Sequence, residues 1–255
     1  MKIRREQGLI IILFLIILQI STQALALKYE VYFKEEEEIS WVCNVCKSEQ
    51  MENALGNNWD KGDYDLFLDI KEGAKMKWEI EKIDKSEQYC NTTDQKEDGY
   101  LINYGYWAWT EEENWGSKEE TKKEFAFENP KYYPEDFIYP VFAPVWMPGP
   151  VGEYMKELES RLYKGYTVDG RVLLTITCEL EKEELDDKYP KQYIKVLAMY
   201  TDKGILRSYK LYLEDHHVIL DISLEDIPYV ELIFPIILTA LLISGTLYVL
   251  WKKVD

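Results

Sequence analysis

The chain has 255 residues, with 47 acidic against 30 basic side chains and a net charge of −17 at neutral pH. That excess repels phosphate backbones and anionic headgroups, so no nucleic acid is expected among its partners. The 47% of hydrophobic residues suffices for the core of one domain, or of two small ones.

The first stretch reads as an export signal. Lys2, Arg4 and Arg5 form a positive region, Gly8 to Leu18 an apolar one, and Ala24-Leu25-Ala26 a small-x-small cleavage site. Residues 1–26 are therefore expected to be removed, leaving Leu27 as the mature terminus. An uncleaved anchor from Gly8 to about Ala26 would put Gln19, Ser21, Thr22 and Gln23 in lipid.

Residues 27–228 read as one β-rich outer domain. Strands are expected over Tyr29–Phe33 and Ile39–Cys43. Ser48 is placed to cap a short helix over Glu49–Leu55, with Gly56 as its stop. Met76, Trp78 and Ile80 alternate with Lys77, Glu79 and Glu81, the period of a half-buried strand. In Gly99–Thr110, Tyr104, Tyr106 and Ala108 face one way, and Gly105, Trp107 and Trp109 the other. An acidic loop is expected over Glu111–Glu124.

Tyr139–Pro150 reads YPVFAPVWMPGP. Its four prolines forbid regular structure, yet Val141, Phe142, Val145, Trp146 and Met147 are too apolar for a free loop. The segment is expected to pack as a lip over a concave sheet. Val151, Tyr154, Met155, Leu158 and Leu162 then share one helical face, with Pro150 at a favourable helix start. Hairpins are expected around Asp169-Gly170 and Asp202-Lys203-Gly204, with Val218–Leu224 as a further strand.

The chain ends in a stretch of twenty uncharged residues, Leu232 to Trp251, followed by Lys252 and Lys253. That length spans a hydrocarbon core, and the lysines place the end in the cytoplasm. The expected layout is a type I membrane protein. The transmembrane helix covers 229–251, the tail covers 252–255, and the membrane is a partner through Leu232 to Trp251. The fold class expected overall is mainly β (α+β): a curved antiparallel sheet with one packed amphipathic helix, plus the transmembrane helix.

This succession, with its closing meander LAMYTDKGILRSYKLYLEDHHVILDI, resembles the lipoprotein-carrier-like half-barrel proteins of cell envelopes. With KEGAKMKWEI, PGPVGEYMKEL and the terminal span, the chain is also similar to uncharacterised single-pass surface proteins of archaea. The resemblance covers most of Leu27–Leu224 and implies a half-barrel outer domain. It carries over no functional residue, and the tether departs from soluble carriers that shuttle a ligand.

Cys43, Cys46, Cys90 and Cys178 all fall in the expected outer domain, where an even count favours two disulfides of open connectivity. In one regular strand Cys43 and Cys46 would point to opposite faces; with a turn between them they can pair. A redox role like that of thioredoxin needs a C-x-x-C at a helix start in a β-α-β setting, which the pattern lacks. Asn91-Thr92-Thr93 is a glycosylation sequon in a polar loop.

No catalytic residue, metal site or cofactor is assigned. The only histidines, His216 and His217, lie near Ser208 and Ser223 without a nucleophile-elbow motif. The expected role is a membrane-tethered binding or interaction module for a small apolar ligand, a sugar or a protein. Tyr104, Tyr106, Trp107, Trp109, Phe142 and Trp146 are its candidate contacts. The alternative is an envelope hydrolase using paired carboxylates.

Overall fold

The computed structural model describes residues 28–57, 59–61, 65–68, 70–109, 111, 114–180 and 193–225. Its strands are β1 (Glu38–Cys46), β2 (Lys75–Cys90), β3 (Gln95–Trp109), β4 (Glu120–Phe127), β5 (Tyr166–Asp169), β6 (Thr175–Leu180), β7 (Ile194–Tyr200), β8 (Leu206–Leu213) and β9 (Val218–Leu224). The α-helices are α1 (Ser48–Leu55) and α2 (Val151–Leu158). All nine strands join one curved antiparallel sheet in the order β4-β3-β2-β1-β9-β8-β7-β6-β5. Neighbours in the sheet are neighbours in sequence except at the centre. There β1 meets β9, with Trp41 opposite Leu224 and Cys43 opposite Ile222.

The expected alternations hold where strands are long. Met76, Trp78 and Ile80 of β2 are buried, as are Tyr104 and Tyr106 of β3. Ile39, Trp41 and Cys43 of β1 are buried on the same side. Bulges interrupt the register at Cys43/Val45, Ile80/Lys82, Met199/Tyr200 and Leu211/Tyr212. Each bulge bends its strand and reverses which residues face inward beyond it. Strict alternation puts Leu206 and Tyr209 on opposite faces. The bulge that leaves Arg207 without a partner buries both.

The proline-rich segment 139–150 lies over the sheet. Val141, Ala143, Val145, Trp146 and Met147 are buried, while Tyr139 is exposed. Its backbone pairs with the β7–β8 turn through Met147 N–H to Gly204 O at 2.9 Å and Leu206 N–H to Val145 O at 2.8 Å. Tyrosine hydroxyls hold other carbonyls. Tyr209 donates to Val141 O and Tyr200 to Pro144 O, and Tyr166 lies within 2.9 Å of Tyr139 O and 2.6 Å of Phe142 O. A segment without a ladder of its own thus has its polar groups satisfied by neighbours. Helix α2 follows, burying Val151, Tyr154, Met155 and Leu158.

Several local expectations change. Tyr29–Phe33 makes only an isolated bridge, Glu30 with Gly149, because its partner is the irregular segment rather than a strand. The last five residues of the expected acidic loop, from Glu120, open β4, paired with β3. Lys47, not Ser48, occupies the start position of α1 and makes no side-chain cap, whereas Gly56 ends the helix at φ +86°. Asp169-Gly170 does not form a two-residue turn, since pairing resumes only at Asp169 with Thr175. Gly170 packs instead against the Gly152 backbone of α2. Among the described residues no helix is long and apolar enough to cross a membrane. The expected signal 1–26, the span 229–251 and the tail 252–255 lie outside those residues.

Candidate functional site

Among the described residues a cleft of about 190 Å³, lined mainly by apolar side chains, lies near the end of β1, β2 and β3. Its floor follows from register. Trp41 lies opposite Met76, Met76 opposite Ala108, Trp78 opposite Tyr106 and Cys43 opposite Ile222. Inward side chains of four adjacent strands therefore form one patch. Leu66, Leu68 and Ile70, from the segment between α1 and β2, form the roof, and Lys75, Trp109 and Glu119 stand at the rim. The floor is stiff. Trp41 donates its indole N–H to Leu206 O at 2.7 Å and packs edge-on against Trp78 at 5.2 Å, and Trp78 stacks on Tyr104 at 3.9 Å.

The six aromatic candidates divide among four places. Tyr106 and Trp109 line the cleft. Tyr104 lies deeper in the core, stacked on Trp78. Trp107 projects from the opposite face of β3, where the Lys77 ammonium lies 4.5 Å from its ring centre and 5.6 Å from that of Trp115. Phe142 and Trp146 belong to the lip: Phe142 packs on Phe67 at 5.9 Å, and Trp146 meets Phe33 edge-on at 5.7 Å. The six are thus not one surface. Trp41, Cys43 and Met76 were absent from the candidate set. Their alternation marks an inward face, but their adjacency to Tyr106 exists only once β1, β2 and β3 are in register.

The expected pair of disulfides is not present: no disulfide is found among the four cysteines. Cys90 on β2 and Cys178 on β6 are separated in the sheet by β1, β9, β8 and β7. The Cys90 thiol donates locally to Tyr132 O at 2.9 Å. Cys43 and Cys46 lie together in β1, with a bulge between them. Asn91 is exposed in the β2–β3 turn.

Carboxylates gather elsewhere. Glu97, Asp98, Glu128 and Glu157 line a shallow groove of about 310 Å³ beside Tyr29 and Tyr132. A hydrogen bond from Gln95 holds the Glu97 carboxyl below its usual range, the reverse of what a general acid needs. Glu128 is paired with Lys85 at 3.0 Å. Among the described residues no group of three or more His, Cys, Asp and Glu side chains is arranged to hold a metal ion.

The chain matches no known protein family, no curated protein and no solved structure.

Proposed function

We propose that the protein is a membrane-tethered extracytoplasmic binding module whose cleft between β1, β2 and β3 receives a small apolar group. The observation that carries this reading is a cleft of about 190 Å³ lined mainly by apolar side chains, with Lys75 and Glu119 as its charged lining residues. A dry cavity of roughly 150 Å³ holds a benzene-sized molecule, while whole drug-sized ligands take roughly 300 Å³ or more. The cleft therefore suits a ring or a short branched chain, presented by a ligand whose polar remainder meets Lys75 and Glu119 at the rim. The half-barrel frame inferred from the sequence fits this reading. The lip supports it too, because its own apolar side chains Val141, Ala143, Val145, Trp146 and Met147 are buried over the sheet.

Ala108→Trp places an indole in the cleft from its floor. Native mass spectrometry of the detergent-extracted full chain is expected to show an apolar adduct on the wild type. In the variant, occupancy should fall by about tenfold or more, with the unfolding midpoint little changed. Equal adducts on both proteins would place the ligand elsewhere, and no adduct on either would remove the binding reading.

Orientation has its own test. Amino-terminal sequencing of the membrane-bound protein from its own cells is expected to begin at Leu27. Deglycosylation should lower the mass of the wild type and leave Thr93→Ala unchanged, because the acceptor Asn91 stands in an exposed turn. A terminus at Met1 would replace the type I layout with a two-span one.

A further inference from the structure

In a regular strand, residues three apart face opposite ways. Cys43 pairs with Ile222 and Cys46 with Leu220, and the register shift falls between them. Ile222 and Leu220 are two apart on β9 and share a face, so the bulge has brought Cys43 and Cys46 onto that same face. Each thiol donates to a nearby carbonyl, Cys43 to Val45 O at 3.2 Å and Cys46 to Ile70 O at 3.6 Å. Strand β1 ends at Cys46, and α1 begins two residues later at Ser48. The C-x-x-C therefore ends a strand just before a helix start, where the expected helix over Glu49–Leu55 put it, although in an antiparallel sheet rather than a β-α-β setting.

We propose that Cys43 and Cys46 form a thiol–disulfide exchange site, in which half-exposed Cys46 attacks a disulfide-bearing partner and buried Cys43 resolves the product. The roles follow from placement. Cys46 is partly open to solvent, its sulfur lies 4.0 Å from the Ser48 hydroxyl, and the amide end of α1 favours a thiolate there. The interaction with neighbouring Cys43, with help from Ser48, also draws the Cys46 thiol below the ordinary cysteine range. Cys43 is 1% exposed and donates to Val45 O at 3.2 Å. The neighbouring Cys46 and then its burial push its own thiol up, which keeps it protonated until Cys46 has reacted.

The exchange balances. The Cys46 thiolate attacks one sulfur of the partner disulfide, and the partner's other sulfur leaves as a thiolate and takes a proton. Cys43 Sγ loses its proton to solvent and attacks Cys46 Sγ, expelling the second partner sulfur, which is protonated in turn. Two thiols have become one disulfide, and two electrons have passed to the partner.

Glutathione disulfide is the probe. The full chain in detergent is equilibrated with defined ratios of reduced and oxidised glutathione, quenched by alkylation and mapped by mass spectrometry. The wild-type fragment holding both residues is expected to lose the mass of two hydrogens and to carry no glutathione. Cys43→Ala should accumulate glutathione on Cys46, whereas Cys46→Ala should carry about tenfold less on Cys43. Iodoacetamide should label Cys46 at a lower pH than an ordinary thiol. The wild-type map does not depend on either variant folding. The proposal is overturned if the wild-type fragment remains a dithiol at every ratio, if Cys46→Ala gains glutathione as readily as Cys43→Ala, or if either residue is found bonded to Cys90 or Cys178.

Discussion

Trp146→Ala is expected to lower folding stability by about 3–5 kcal/mol, the range for a large aromatic removed from a core. The indole is 5% exposed, and it sits where the lip crosses the sheet. It meets Phe33 edge-on on one side, and its backbone bridges to Ile205 on the other. The adjacent hydrogen bonds, from Leu206 N–H to Val145 O and from Met147 N–H to Gly204 O, flank the side chain. Removing it leaves a void that the prolines on either side keep from collapsing. Tyr139→Ala is the internal control: that ring is 67% exposed, so its loss should stay within about 0.5 kcal/mol. Denaturant unfolding followed by tryptophan fluorescence measures both. A Trp146 variant as stable as the Tyr139 variant would mean that the lip is a surface feature rather than part of the core.

The second large effect is at a turn. Gly204→Ala is expected to cost about 3 kcal/mol or more, and Gly73→Ala only about 1–2 kcal/mol. The two glycines have almost the same backbone, with φ of +83° and +82°. An alanine in that left-handed region carries the same local strain at both sites. Their surroundings differ. A Cβ at Gly73 meets nothing within 4 Å, whereas one at Gly204 overlaps the carbonyl oxygen of Met147. That contact forces the lip away from the β7–β8 turn and loosens the Met147 N–H to Gly204 O bond of 2.9 Å. The difference between the two variants, read by thermal or denaturant unfolding, isolates the lip–turn contact from backbone strain. Equal losses would show that the contact contributes nothing.

Both predictions rest on the lip, which the sequence announced by chemistry rather than by pattern. Five large apolar residues among four prolines had to be covered by something else. Which surface covers them was not written locally, because the partners are the β7–β8 turn and tyrosines from β5, β7 and β8, all distant in sequence. The cleft divides in the same way. The inward faces of β1, β2 and β3 were legible as alternation, and Tyr106 could be named from it. The meeting of that face with Trp41 and Cys43 required the register, and Trp146 was absorbed into the core instead.

The sequence by itself determined the short-range geometry. Period-two runs became β2, β3 and the strands of the last third, and the apolar stripe from Val151 became α2. Gly56 and Gly204 took the positive φ that their turns needed. Those outcomes depend on residues within a few positions of each other, where sterics and side-chain alternation act directly. Only the tertiary structure decided which strands are neighbours and where the ladder slips. The pairing of β1 with β9 joins residues far apart in the chain, and its bulge sits where the strands of a curved sheet must bend. One extra residue in β1 reverses the face of everything after it. Cys46, which alternation would place away from Cys43, stands beside it for that reason.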